Sequence, residues 1–446
     1  MTSSKEEKSA PYPSIAIAWM VVAILFTVTL FSQLDRQLPA LLVKPIKAEF
    51  SINDTAFSLL QGYAFAFVYA IMGLPFGKLV DQTHRRNLII AGVVVWSAMT
   101  IFAGFAGTYA QLFLARMGVG VGEAILAPAA YSIIADYVPS QRRGRAMAVY
   151  YLSLAVGQGA SLLLAGLILR EVPVSGATLP AVGHLEPWRI SFLLAGLPGI
   201  PLVLLLLLVR EPVRRDQGDK RDKDSGGLRE IIGYVRQNFK ALLPIFICPS
   251  TLAIAGYSAL NWAPAFYERR FGLGAAEIGV MLGGIVTASG VVGTLSSGFI
   301  SDAMAARGLA AARLRVMVIA CLVVLPTSFL WTVVPSEVLS IGLFALMLSA
   351  MVFGLSSVAV MVQEIVPNRM RGQIIAAYLL IATLSGIAVA PTVVALLTDL
   401  LFRDERAIGW ALMMVGGPVS IVGLVAALRG RRPYSALQIA LVNAAH

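Results

Sequence analysis

The chain has 446 residues, of which 58% are hydrophobic and only 13% charged, with a formal net charge of +11. Soluble domains carry about a quarter charged residues, so this chain has too few to cover a water-exposed surface. The apolar residues fall in blocks of about 20, the length that crosses a bilayer as a helix, which points to an all-α, polytopic membrane protein.

The opening "MTSSKEEKSAPYPS" is polar, and the apolar run behind it is too long for a cleavable signal, so residues 1–13 read as a cytoplasmic tail. Twelve spans follow. The first six fall at 14–40, 53–78, 87–106, 110–136, 143–170 and 188–209, forming one six-helix bundle over 14–209. Residues 210–239 are a cytoplasmic linker, whose end "LREIIGYVRQNFKALL" has the apolar spacing of a helix lying along the membrane surface. A second bundle occupies 240–428, with spans at 240–267, 274–300, 313–334, 337–363, 371–399 and 408–428, and residues 429–446 form a cytoplasmic tail. Placing both tails and the linker inside puts most of the 35 lysines and arginines on that face. The basic balance thus follows the positive-inside rule of an inner (plasma) membrane protein and implies no nucleic acid partner.

Three charges stand inside spans. Asp35, next to Arg36, lies in the first; Arg116 and Glu123 lie in the fourth, within "RMGVGVGEA". A charge at mid-bilayer costs on the order of 2.5–3.5 kcal/mol on insertion scales, so these groups must be paired or face water. Seven residues are about two helical turns, which sets Arg116 and Glu123 on one face, roughly 10 Å apart. Both can then look into one cavity, for which Arg36 is a further candidate, with snorkelling toward the outer water as its alternative. Gly118, Gly120 and Gly122 let a neighbouring helix approach closely. Asp35 and Glu123 are the candidate proton-coupling groups; a static ion-pair network is the alternative. Polar or aromatic residues in otherwise apolar spans, Gln61, Tyr63, Tyr150, Gln158, Tyr257 and Asn261, are further cavity candidates. "NDT" (53–55) reads as a helix cap by Asn53 or Asp54, not as a glycosylation site.

The halves echo each other. "GKLVD" (77–81) ends the second span and "GFISD" (298–302) the eighth; "DYVPSQRRG" (136–144) joins spans four and five, and "EIVPNRMRG" (364–372) joins ten and eleven. Two pseudo-symmetric bundles of this kind signal a transporter. Cys248 and Cys321 read as membrane-buried packing, soluble-enzyme and metal motifs are absent, and no cofactor is expected.

"GKLVDQTHRRN" (77–87) resembles the loop signature of the major facilitator superfamily, with His84 where the family usually has glycine. Gly77 permits close helix approach there, and Asp81 caps a helix N-terminus or pairs with Arg85 or Arg86. Within that superfamily, "LDRQLPALLVKPIKAEF" (34–50), "ARMGVGVGEAILAPAAYSIIADYVPSQRRGRA" (115–146) and "PWRISFLLAGLPGI" (187–200) resemble Spinster-like lysolipid and sphingolipid transporters. The resemblance implies the major facilitator fold, a central cavity lined by spans one and four in which Asp35 can reach Arg116 or Glu123, and a cytoplasmic gate at Gly77, Asp81, Arg85, Arg86, Asp136, Arg142, Asp302, Glu364 and Arg371. It also implies a proton-coupled, alternating-access transporter, acting as a monomer on an amphipathic lipid or lysolipid. A small organic anion exporter, drawn by Arg116, is the alternative within transport; a lipid-modifying enzyme or scramblase is the alternative outside it.

Overall fold

The computed structural model describes residues 12–179, 183–214 and 228–445; residues 1–11 of the expected tail and 215–227 of the expected linker lie outside them. Among the described residues, twelve helices are long and apolar enough to cross a membrane. The first six are Ile15–Leu41, Asp54–Gly73, Arg85–Phe105, Tyr109–Tyr137, Gln141–Glu171 and Pro187–Leu207. The second six are Phe239–Phe271, Ala275–Ala306, Ala312–Leu330, Glu337–Ile365, Met370–Phe402 and Glu405–Leu441. They are called spans one to twelve below. The face that holds Ile15 and the end of span twelve is the terminal face; its opposite is the far face.

Caps fix several starts. Asn53 Oδ1 accepts the Ala56 amide at 2.9 Å, the cap expected of "NDT". Thr108 and Ser336 accept from Gln111 and Leu339 in the same way, opening spans four and ten. Prolines 244, 249 and 264 all sit inside span seven, tolerated because neighbouring helices supply the lost contacts.

Departures from the sequence reading are local. Span twelve continues as one helix to Ala445 instead of giving way to a tail, and its extension buries Tyr434. A two-stranded hairpin, Ala177–Leu179 against Gly183–Leu185, joins spans five and six. π-Helical turns interrupt span two at Leu59–Tyr63 and span eleven at Leu384–Val389. The surface helix appears as Leu228–Gln237, anchored by the Tyr234 hydroxyl, which donates to the Ile365 carbonyl.

The halves meet most broadly where span five packs on span eight. The contact is made by backbone: a Cβ on Gly166 would fall 2.8 Å from the Ala276 carbonyl oxygen, and one on Gly283 2.6 Å from the Leu163 nitrogen. Within the first half, the glycines of "RMGVGVGEA" serve two neighbours. A Cβ on Gly122 would meet the Gly92 carbonyl oxygen at 2.7 Å and the Trp96 nitrogen at 2.8 Å, both in span three. One on Gly120 would meet the Phe65 carbonyl oxygen at 2.8 Å, in span two. Gly122→Val is therefore expected to cost about 1–3 kcal/mol of overpacking strain or more, since the neighbour is backbone and cannot rotate away. A lowered melting temperature in detergent checks it, and an unchanged one removes this account of the motif.

Candidate functional site

Between the halves lies a cavity of about 410 Å³, lined from the first half by Gln33, Arg36, Gln37, Gln61, Phe65, Tyr69, Arg116, Leu154 and Gln158. The second half contributes Tyr257, Leu260, Asn261, Leu379, Thr383 and Ile387. Arg36 lines the cavity, as its cavity reading has it, and does not snorkel outward. Its guanidinium turns inward, with Nη2 2.6 Å and Nε 2.7 Å from Glu123 Oε2. It also lies over the rings of Phe65, at 4.5 Å, and Tyr69, at 5.0 Å. The pairing expected between Arg116 and an acid is replaced by a different bond: Arg116 Nη1 donates to the backbone carbonyl of Asp35 at 2.6 Å. Span one, crossing beside span four, delivers Arg36 to the end of the Glu123 side chain, a register that spacing within span four does not reveal.

The two acids sit behind the two arginines. Asp35 and Glu123 are buried, and neither lines the cavity. Three atoms of this cluster are buried without a hydrogen-bond partner: Asp35 Oδ1, Glu123 Oε1 and Arg116 Nε. A low-dielectric site with vacant acceptors on two carboxylates has places for protons, and each proton changes how firmly an arginine is held. What faces the cavity is positive charge and amide; what lies one layer back is negative.

Four of the six softer candidates, Gln61, Gln158, Tyr257 and Asn261, line this cavity. Gln61 and Asn261 are bonded to each other across the halves, Nε2 to Oδ1 at 2.9 Å. Tyr150 and Tyr63 do not line it. Tyr150 is turned into the first half's core, edge-on to Tyr131 at 5.4 Å, and Tyr63 lines a separate apolar hollow with Phe67, Phe113 and Met117. Leu154, Gln158, Tyr257 and Leu260 also line a second cavity of about 430 Å³, completed by Val286, Gly290, Thr294, Leu348, Met351 and Leu355 among others. The polar cavity thus runs into an apolar one between spans five, seven, eight and ten.

At the terminal face each half has its own charged knot. Arg85 pairs with Asp136 and, at 2.8 Å, with Glu211, whose second oxygen accepts the Arg86 amide at 3.0 Å. Glu211, just past span six, therefore does what was expected of Asp81, which is exposed. A Cβ on Gly77 would meet nothing within 4 Å, so that glycine does not serve close helix approach here. Arg142 is exposed, and the neighbouring Arg143 makes the structural bond, to the Ala135 carbonyl at 2.8 Å. Arg371 does the same in the second half, donating to the carbonyls of Gln363 at 2.7 Å and Val366 at 2.8 Å. Arg313 binds Asp302 at 2.7 Å and approaches Glu364 at 3.9 Å, while the Tyr434 hydroxyl donates to Glu364 at 2.7 Å. The two knots match in place: an arginine opening span three or nine, an acid closing span four or ten, and a third group beyond span six or on the extension of span twelve.

The far face holds a cluster that the sequence reading missed. Asp54 accepts twice from Arg269, at 2.7 Å each, and pairs with Lys47; Lys47 reaches Glu405 at 2.7 Å. Beside it, Asp399 of span eleven accepts from the Thr55 amide at 2.7 Å and hydroxyl at 2.6 Å, and one turn on Ser58 donates to Thr392 at 3.0 Å. With Gln61, these residues form one stripe along span two, running from the far face to the cavity and bonded throughout to the second half. Its only trace in the sequence is polar residues at 54, 55, 58 and 61 in an apolar span.

Known proteins support the same reading. The sequence profile of the Major Facilitator Superfamily matches residues 25–391. An MFS-type efflux pump of Mycolicibacterium smegmatis is 30% identical over 413 residues, covering 92% of this chain and 91% of the pump. Protein spinster homolog 1 of Bos taurus is 30% identical over 256 residues, covering 56% of this chain, which matches 46% of that protein's length. A crystal structure of a bacterial homologue of the human lysosomal transporter Spinster, inward-facing and unoccupied, superposes with a TM-score of 0.76 at 23% identity. It covers 97% of this chain and 99% of the homologue. With two six-helix halves, a charged cavity between them and a family profile spanning most of its length, this chain belongs to the major facilitator superfamily and is a membrane transporter, not an enzyme.

Proposed function

We propose that this transporter couples protons to the movement of an amphipathic, lysolipid-like anion by alternating access, as a monomer in the inner membrane. The observation that carries the reading is the joined pair of cavities, one presenting Arg36 and Arg116 with amide side chains, the other apolar. An acidic headgroup fits the first and an acyl chain the second, where burial gains roughly 0.8 kcal/mol per methylene. The Spinster resemblance supports a lipid-like substrate, and the name of the mycobacterial relative supports export.

The positive-inside rule makes the terminal face cytoplasmic. The bonds joining the halves cluster at the far face, so access to the cavity is from the cytoplasm. Substrate entering there competes with Glu123 for Arg36. A proton on Glu123 weakens the pair it makes with Arg36 and frees the guanidinium for the headgroup. Loss of that proton recaptures Arg36 and expels the ligand. The two arginines alone would also suit a small organic anion, and chain length separates the two readings. In proteoliposomes with an imposed pH gradient, an oleoyl lysophosphatidylglycerol is expected to be transported and to compete with its shorter-chain analogues in order of chain length. Transport of gluconate or citrate with no response to lysolipid would favour the small-anion reading.

A further inference from the structure

We infer that the Gln61–Asn261 bond is the rung through which bound substrate unfastens the far face, which makes these two amides substrate-sensing residues. The inference rests on the proposed transport of an amphipathic anion and adds how the ligand's arrival reaches the gate.

Two features single out this rung. It is the only bond of the span-two stripe whose partners both line the substrate cavity; Asp54, Thr55 and Ser58 do not line it. Its placement also depends on backbone made for it. Gln61 sits in the π turn Leu59–Tyr63, which faces the π turn Leu384–Val389 of span eleven, and the two meet closely: a Cβ on Gly62 would fall 2.8 Å from the Ile387 carbonyl oxygen. A π turn inserts one residue into a helix and re-aims the side chains around it, a costly feature that is concentrated at working sites. Here it turns Gln61 toward Asn261, whose amide nitrogen is already tied to the Tyr257 carbonyl at 2.8 Å.

The chemistry suits exchange. Gln61 Nε2 donates its bond to Asn261 Oδ1, and a phosphate or carboxylate held at Arg36 and Arg116 offers a charged acceptor, to which hydrogen bonds are roughly twice as strong as between neutral groups. Gln61 Nε2 has two hydrogens, but they lie in one amide plane, so a headgroup that draws the amide toward the arginines turns it away from Asn261 Oδ1. That movement leaves Asn261 Oδ1 without its donor and removes the innermost link between span two and span seven. The stripe then loses its end nearest the cavity, with Ser58–Thr392 next in line. The rung converts occupancy of the cavity into a bias on a gate several turns away, without any contact between ligand and the charged cluster.

The test is a distance measurement between spin labels at V174C, in the loop after span five, and V338C, at the far-face start of span ten, both exposed; Cys248 and Cys321 are buried and stay unlabelled. Oleoyl lysophosphatidylglycerol in nanodiscs is the probe. In the wild-type background the label pair is expected to show a short distance, with a longer component growing on addition of lysolipid. The size-matched variants Gln61→Met and Asn261→Leu should each raise the long component without ligand by roughly three- to tenfold, the weight of one hydrogen bond. The double variant should do no more than either single, because both remove the same bond, and lysolipid should add little further. Asp54→Asn should also open the far face but keep its response to lysolipid. If the double variant responds to lysolipid as the wild type does, or the two singles add, the rung carries no signal. If the wild type neither binds nor responds to lysolipid, the substrate class is wrong; the rung is then decided by the ligand-free populations, and unchanged ones overturn it.

Discussion

Glu123→Gln is expected to yield a protein that still binds substrate but no longer accelerates transport when a pH gradient is imposed. Glu123 holds Arg36 through two close contacts, at 2.6 and 2.7 Å, and its other oxygen is buried without a partner. The neutral amide mimics the protonated acid permanently, so Arg36 is never recaptured and the cycle loses the step that a proton drives. One pH unit supplies about 1.4 kcal/mol per proton. Wild-type flux in proteoliposomes should therefore rise up to about tenfold per unit where one proton moves per cycle, and the variant should stay flat. Asp35→Asn should behave similarly, since Arg116 is fixed at its backbone carbonyl and its carboxylate stands behind the same arginine. Arg116→Ala should instead weaken binding as well as coupling. A Glu123→Gln protein with the full wild-type response would make this cluster a static brace between spans one and four.

The second large effect belongs to the far face. Asp54→Arg is expected to hold the transporter open on that side, because it sets a third cation against Arg269 and Lys47 where a doubly bonded carboxylate stood. Breaking a buried pair costs about 3–5 kcal/mol, enough to bring a population ratio of one hundred to one close to or past balance, since inverting it in full takes about 5.5 kcal/mol. Arg269→Asp alone should do the same, and the exchange Asp54→Arg with Arg269→Asp should restore closure in part, with Lys47 and Glu405 still present to balance the swap. The distance between spin labels at V174C and V338C reads the outcome. A wild-type distance distribution in both single variants would show that the cluster follows closure and does not cause it.

Helix length and hydropathy in this sequence set out all twelve spans, because a bilayer accepts a narrow menu of structures and each span must satisfy its own backbone. The intramembrane charges were legible for the same reason: Arg116 and Glu123 are conspicuous where charge is costly. Their partners were not. Spacing along one helix puts Arg116 and Glu123 on one face, but which arginine meets Glu123 depends on how span one crosses span four, which the spacing within either helix does not reveal. The surface residues failed differently. Asp81 and Glu211 are equally polar acids at the ends of spans two and six, and only the fold brings the second to the start of span three. Arg142 and Arg143 are adjacent, and the match to Arg371 follows from counting back from the shared glycine, a signal present in the repeat itself. The span-two stripe was least legible, since its partners at 269, 392, 399 and 405 are scattered over the opposite half.

The glycine contact between spans five and eight behaves as a bearing. Interlocked side chains must climb over one another when two helices shift, whereas Gly166, Gly279 and Gly283 present bare backbone to backbone. Rotation there trades one set of shallow van der Waals contacts for another of similar depth. The seam therefore contributes friction but little preference between states, and the preference is left to the polar ends. A protein built this way can be retuned, in its resting state and its response to ligand, by changing a few charged or amide side chains while the surface on which it turns stays the same.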